Sequence, residues 1–214
     1  MGLDWLPLGK PRPGHEAEFD ALYEELFDNH DQSLWERMGA IEISPYETLG
    51  APRVGIDTEA DRWADAQYSK RPWKQLFVSR RKFRQVLQGY YVLDLVEKND
   101  GVPAYSNGGI GSYCEIFSFR GKFLDVCEDM LGKDLLGEAW VHHRADELSD
   151  YGIQLRDRAA AFAEDSGVTE VLGQRYLPSG HDPDGPAEQA HIVDSAARWC
   201  LFWSARGHGM IADF

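Results

Sequence analysis

The sequence has few cysteines and no long apolar run, and each absence excludes a class of protein. Three cysteines in 214 residues, Cys114, Cys127 and Cys200, are too few and too widely spaced for a disulfide framework, which favours free thiols in a reducing cytosol. No stretch approaches the ~18 uncharged apolar residues of a membrane-spanning helix. The opening MGLDWLPLGK lacks the basic start and apolar run of a signal peptide. We therefore expect a cytoplasmic protein without a membrane partner.

Positive charge is scarce overall and is concentrated in one segment. The chain has 22 Lys and Arg against 36 Asp and Glu, a formal charge of −14, which phosphates would repel. We therefore expect no nucleic-acid partner. Residues 66–93 nevertheless contain no Asp or Glu and hold seven cations, namely Lys70, Arg71, Lys74, Arg80, Arg81, Lys82 and Arg84. Charge this segregated indicates either pairing within the protein or an anionic partner.

The apolar pattern predicts a mainly α, helix-rich protein with a minor β element. A hydrophobic content of 43% and a charged content of 27% are typical of a globular chain. Helical spacing of apolar residues predicts helices near 15–29, 58–68, 72–88, 120–131, 134–142, 146–164 and 186–206. The last of these is apolar nearly all round, so we expect it to be central. Aromatic and β-branched runs make strands possible near 90–96 and 112–117. We find no linker and predict a single domain over 1–214, with an irregular arm at 1–14.

Two arginines of the basic segment fall on the apolar side of its predicted helix. Trp73, Leu76 and Leu87 share that side, and Arg80 and Arg84 continue it at i+4 spacing. A guanidinium that faces a core needs a negative partner, because an isolated buried charge is very costly. Three readings stay open: pairing with the acidic first helix, an anion-binding cleft, and a solvated basic face.

A glycine-rich loop, SNGGIGS, supplies a second group of candidate ligand-binding residues, Asn107, Gly108 and Gly109. Glycine lets a backbone approach a ligand closely, so the loop could bind through its amides. It lacks the third glycine of a dinucleotide-binding pattern, and it could equally be a flexible connection. Cys114, beside this loop, is the candidate for a reactive thiol.

The last predicted helix carries candidate acid–base residues. Glu188 and His191 lie three residues apart and share one side with Ser195 and Arg198. Glu-x-x-His is one half of a di-iron site in helical bundles, but the sequence has no second copy, so we expect no metal and no cofactor. His191 could act as a general base if this side lines a cleft. The alternative is a polar stripe that faces solvent.

Two hypotheses of function follow. In the first, a protein of the bacterial cytosol type binds or acts on a small anionic ligand held by Arg80 and Arg84, with Glu188 and His191 as acid and base. In the second, it is an acidic interaction module, such as an inhibitor, whose first helix contacts a basic protein partner without catalysis. Neither a reaction nor an oligomeric state follows from the sequence.

Overall fold

A computed structural model describes residues 2–29, 32–70, 78–96, 105–106, 112–177, 180, 182 and 185–214. Within these residues the chain is mainly helical with a small antiparallel sheet, which confirms the predicted fold class. Contacts divide the chain into two compact units: a larger unit of residues 1–45 and 100–214, and a smaller unit of residues 46–99. The single domain over 1–214 stays a prediction.

The helices follow local apolar spacing. In chain order they are α1 (Glu16–Asn29), α2 (Gln32–Ile41), α3 (Pro45–Thr48), α4 (Thr58–Lys70), α5 (Arg80–Leu87), α6 (Glu128–Gly137), α7 (Ala145–Ser166) and α8 (Pro186–Ser204). Helices α1, α7 and α8 confirm the predicted ones. Helix α2 is not among the helices that the sequence predicts. None of the described helices is both long and apolar enough to cross a bilayer.

The sheet of the larger unit joins distant parts of the chain. Its strands are β1 (Asp4–Pro7), β4 (Tyr105–Ser106), β5 (Ser112–Glu115), β6 (Ser118–Phe119) and β7 (Met210–Asp213), in the order β4-β5-β6-β1-β7, while β2 (Lys10–Pro11) pairs separately with β3 (Glu42–Ile43). The prediction of an irregular arm at 1–14 is therefore wrong. Strand β1 is ordered because it lies between β6 and β7, where Trp5 faces Phe119 and Ala212. Strand β5 confirms the possible strand near 112–117.

The core of the larger unit forms where α7 and α8 pack together. Gly152 permits this contact, since a Cβ at this position would lie 2.9 Å from the Cβ of Cys200. The rings of Trp5, Tyr151 and Trp199 meet nearby, with Trp5 centroids 5.8 Å from Tyr151 and 6.0 Å from Trp199. Helix α8 is buried on nearly every side, which confirms its predicted central position.

The smaller unit packs α4 and α5 around a small apolar cluster. Val54, Ala60, Ala64 and Val92 are buried there. The possible strand near 90–96 is wrong. Tyr91 forms a single bridge with Arg53, after which Leu93–Leu95 turn as a 3-10 helix. Extended pairing needs a neighbouring strand, and the described part of this unit offers no strand longer than that bridge.

Candidate functional site

The first candidate is a cleft in the smaller unit between α4 and α5, which we call the arginine cleft. Its volume is about 530 Å³, and its lining consists of Asp65, Arg80, Arg81, Arg84, Gln85 and Gln88. The i+4 spacing on α5 places Arg80 and Arg84 on one side of the helix. Ser79 caps the N-terminus of α5, and its Oγ accepts a hydrogen bond of 3.3 Å from the Lys82 backbone N–H.

One carboxylate binds both guanidinium groups. Arg80 Nε donates to Asp65 Oδ1 at 2.9 Å and its Nη2 lies 2.6 Å from Oδ2. Arg84 Nε donates to the same Oδ1 at 2.7 Å, and its Nη2 also donates to Oδ2. Hydrogen bonds first from Arg80 and then from Arg84 lower the pKa of Asp65 to about 2. One negative charge therefore meets two positive ones, and the cleft as a whole carries a formal charge of +2 with Arg81 included.

The two arginines are paired, but they are not buried as the sequence predicted. Their side chains are 60% and 42% exposed, and α5 buries none of its residues. The prediction that they face a core is wrong, because the described part of the helix lies at the surface of its unit. Pairing with the acidic first helix is also wrong, since Asp65 of α4 is the partner.

The glycine-loop residues Asn107, Gly108 and Gly109 lie outside the described residues. Cys114, next to this loop in sequence, is fully buried. Burial raises the pKa of its thiol well above the ordinary value. The reactive-thiol prediction is therefore wrong, because the thiolate is the nucleophile and burial disfavours it.

The acid–base candidates lie on α8 in the interior of the larger unit. His191 is 0% exposed and Glu188 is 6% exposed. His191 Nε2 lies 2.9 Å from the Gln174 carbonyl oxygen, and its Nδ1 contacts the Tyr113 hydroxyl. Because a carbonyl only accepts, Nε2 donates and Nδ1 accepts from Tyr113. The imidazole is thus a neutral tautomer, in agreement with the lowered pKa that burial gives His191. The alternative of a solvent-facing polar stripe is wrong for these two residues.

This buried cluster ties α8 to its neighbours. The Ser195 hydroxyl donates to the His191 carbonyl at 2.6 Å within the helix. Tyr113 of β5 is 1% exposed, and burial is also the first cause of its raised pKa. A general base needs a face open to substrate, and both ring nitrogens of His191 are engaged by protein groups. An acid–base role for Glu188 and His191 stays a prediction.

The second cleft, which sequence reasoning missed, lies in the larger unit beside α7. We call it the acidic groove. Its volume is about 900 Å³, and its ionised lining residues are Lys133, Asp134, Glu138, Glu147, Asp150, Asp157 and Arg158. The signal was present in the sequence, since Glu147, Asp150, Gln154 and Asp157 follow helical spacing along one side of α7. The prediction of α7 depends only on its apolar side.

No part of the described chain brings together three or more His, Cys, Asp or Glu side chains in an arrangement that could hold a metal ion. The lining of the acidic groove has an excess of negative charge, whereas that of the arginine cleft has an excess of positive charge. Comparison with protein-family models, curated proteins and solved structures finds no match to this chain.

Proposed function

We propose that this protein binds a small anionic ligand in the arginine cleft. The observation that carries the proposal is the shared carboxylate: two exposed guanidinium groups converge on Asp65. Since one carboxylate cannot neutralise both, the cleft keeps positive charge that an anion can balance. Arginine offers a planar fork of N–H donors that fits a carboxylate or a phosphate oxygen pair.

Because the ion pairs of Arg80 and Arg84 with Asp65 are exposed, a ligand anion can replace Asp65 at a small cost in free energy. An ion pair at the surface typically stabilises a fold by only ~0–1 kcal/mol, so a ligand anion can share or displace Asp65 at small cost. Gln85 and Gln88 line the same cleft and add amide groups that can donate to or accept from the ligand. A volume of about 530 Å³ falls in the range typical of small-molecule sites.

Titration calorimetry with inorganic phosphate and with succinate tests this proposal. We expect one of these probes to bind the wild type, and Arg84→Gln to weaken it about tenfold, because a charge-assisted hydrogen bond is lost. Lys82→Gln is the matched control: it removes the same charge from the same helix but does not line the cleft. Equal weakening by both variants would show that only net charge matters. Absence of binding by both probes at low salt would count against the site.

A second function, an acidic interaction module, is favoured by the surface of α1. The side chains of Glu18, Asp20 and Glu24 are 53%, 59% and 71% exposed. Arg144 contacts Asp20 at 3.5 Å and also binds Glu24, so these two carboxylates share one cation and the exposed surface of α1 keeps a negative excess. A fluorescent oligolysine peptide provides the test. Glu18→Gln should weaken its salt-sensitive binding, whereas Glu164→Gln, on α7, should not. Binding that salt leaves unchanged would refute this function.

A further inference from the structure

The arginine cleft keeps N–H donors that its own carboxylate does not use. Arg80 and Arg84 each meet Asp65 with the edge formed by Nε and Nη2. A guanidinium carries five N–H groups, and two of them engage Asp65, so three remain on each arginine at the end formed by Nη1 and Nη2. Among the described residues, no second acceptor contacts either guanidinium group. An anion can therefore reach both arginines without displacing Asp65.

Arg81 adds a third guanidinium group to the lining of the cleft. Its side chain is exposed, and the ion pairs of the described residues do not include it. Three arginines and one carboxylate leave an excess of two positive charges in this lining. A ligand group with two negative charges balances that excess, whereas a carboxylate balances half of it. Charge complementarity therefore favours a dianionic group.

The positions of the donors favour a tetrahedral oxyanion. With 3.6 residues per turn, Arg81 lies about 100° around α5 from Arg80, and Arg84 lies about 40° from it, so the three side chains leave the helix in different directions. A carboxylate has two oxygens in one plane and fits a single guanidinium fork, whereas a phosphate monoester presents three terminal oxygens. A phosphate group can thus accept hydrogen bonds from all three arginines.

The rest of the lining indicates the kind of organic group that the phosphate carries. The described lining contains two amides, those of Gln85 and Gln88, and no apolar or aromatic side chain. The Gln88 amide packs tightly on Gly55, where a Cβ would lie 1.9 Å from its Nε2, and this contact holds it in place. Amides donate to and accept from hydroxyl groups, whereas a nucleobase would find no ring to stack on in this lining. A small hydroxylated group therefore fits best.

We propose that the arginine cleft binds a small hydroxylated phosphate monoester, of the class of sugar and polyol phosphates. The dianionic phosphate accepts from the remaining N–H groups of Arg80, Arg81 and Arg84, and the hydroxyl groups meet the amides of Gln85 and Gln88. This ligand class rests on the proposed function, since the ligand occupies the same cleft. A volume of about 530 Å³ is large enough for such a molecule.

Titration calorimetry of the full chain with glycerol 3-phosphate and with succinate, at pH 7.5 and equal ionic strength, tests the ligand class. Both probes carry two negative charges, but only glycerol 3-phosphate carries them on one group, so it should bind at least about tenfold more tightly. Equal affinities, or tighter binding of succinate, would overturn the phosphate class and leave the anion site standing. Absence of binding by both probes would refute the site and its ligand class together.

A second pair of probes isolates the charge of the phosphate group. Dimethyl phosphate, a diester with one negative charge, should bind at least about tenfold more weakly than methyl phosphate, a monoester that carries two at this pH. Equal affinities for the monoester and the diester would overturn the requirement for a dianion.

Arg81→Gln should weaken glycerol 3-phosphate binding about tenfold, because charge-assisted hydrogen bonds are lost. The melting temperature of the unliganded protein should not change, since Arg81 is exposed and outside the ion pairs of the described residues. Lys82→Gln removes the same charge from the next position, outside the lining, and should alter the affinity less than about twofold. Equal effects of the two substitutions would overturn the role of Arg81 in the site.

Discussion

Acidification should destabilise this protein through one buried histidine, His208. Its ring is 0% exposed, and its Nδ1–H donates to the Leu8 carbonyl at 2.8 Å. The ring also meets the edge of Trp203, with centroids 5.4 Å apart and planes at 88°. Burial lowers the pKa of His208 from 6.5 to about 4, and the nearby cations Lys10 and Arg206 oppose protonation further.

The sign and size of the effect follow from linkage. The folded protein holds His208 neutral, whereas the unfolded chain takes up a proton below pH 6.5. Above pH 6.5 both states hold His208 neutral, and its titration leaves the free energy of unfolding at its full value. As the pH falls from 6.5 to about 4, the unfolded chain binds a proton that the folded protein does not, so the free energy of unfolding decreases. A pKa difference from 6.5 to about 4 lowers the free energy of unfolding by roughly 2 kcal/mol at pH 5 and roughly 3 kcal/mol at pH 4.

Urea unfolding, followed by tryptophan fluorescence between pH 7 and pH 4, measures this loss. His208→Asn keeps a donor near the Nδ1 position and does not titrate. It should lower stability at pH 7, and its deficit relative to the wild type should shrink by roughly 3 kcal/mol by pH 4. The comparison removes the contribution of His191, whose pKa is lowered too. His15→Asn, at an exposed position, should shift the profile little. Parallel pH profiles for the wild type and His208→Asn would refute the reasoning.

Two further predictions concern the core of the larger unit. Gly152→Ala should lower the free energy of unfolding by about 1–3 kcal/mol, because the new methyl group overpacks against Cys200. Gly39→Ala, where a new Cβ meets nothing within 4 Å, should leave this free energy unchanged or raise it by up to ~1 kcal/mol. Equal effects of the two substitutions in urea unfolding would contradict this. The thiols of Cys114 and Cys200 should react with a disulfide reagent only as fast as the protein unfolds, since burial raises the pKa of both; rapid reaction in native buffer would contradict this.

The long helices could be predicted from the sequence because their signals are local. Helices α1, α7 and α8 repeat apolar residues every three or four positions, and Gly167, with φ of 69°, ends α7 where the sequence places a C-terminal glycine. Helix α2 also has such a stripe, in Leu34, Met38 and Ile41. Gly39 and the prolines that follow weaken this local signal, but packing against α1 outweighs the modest cost of one glycine.

For the candidate sites too, the sequence predicts only what depends on spacing within one helix. Spacing on α5 placed Arg80 and Arg84 together, as the structure shows. Their partner could not be predicted, because Asp65 belongs to another helix and any carboxylate in the chain satisfies the same requirement for charge. The surroundings of His191 were equally hidden, since Tyr113 and Gln174 reach it from 78 and 17 residues away.

The sequence by itself determined the helical class, the position of the most apolar helix and the charge segregation of the basic segment, because each depends on neighbours a few residues apart. Only the tertiary structure decided that residues 4–7 form a strand, that the two arginines share Asp65 at the surface, and that His191 lies between Tyr113 and Gln174 in the interior. These features depend on contacts between segments that are far apart in the sequence, and such contacts form only when the chain folds.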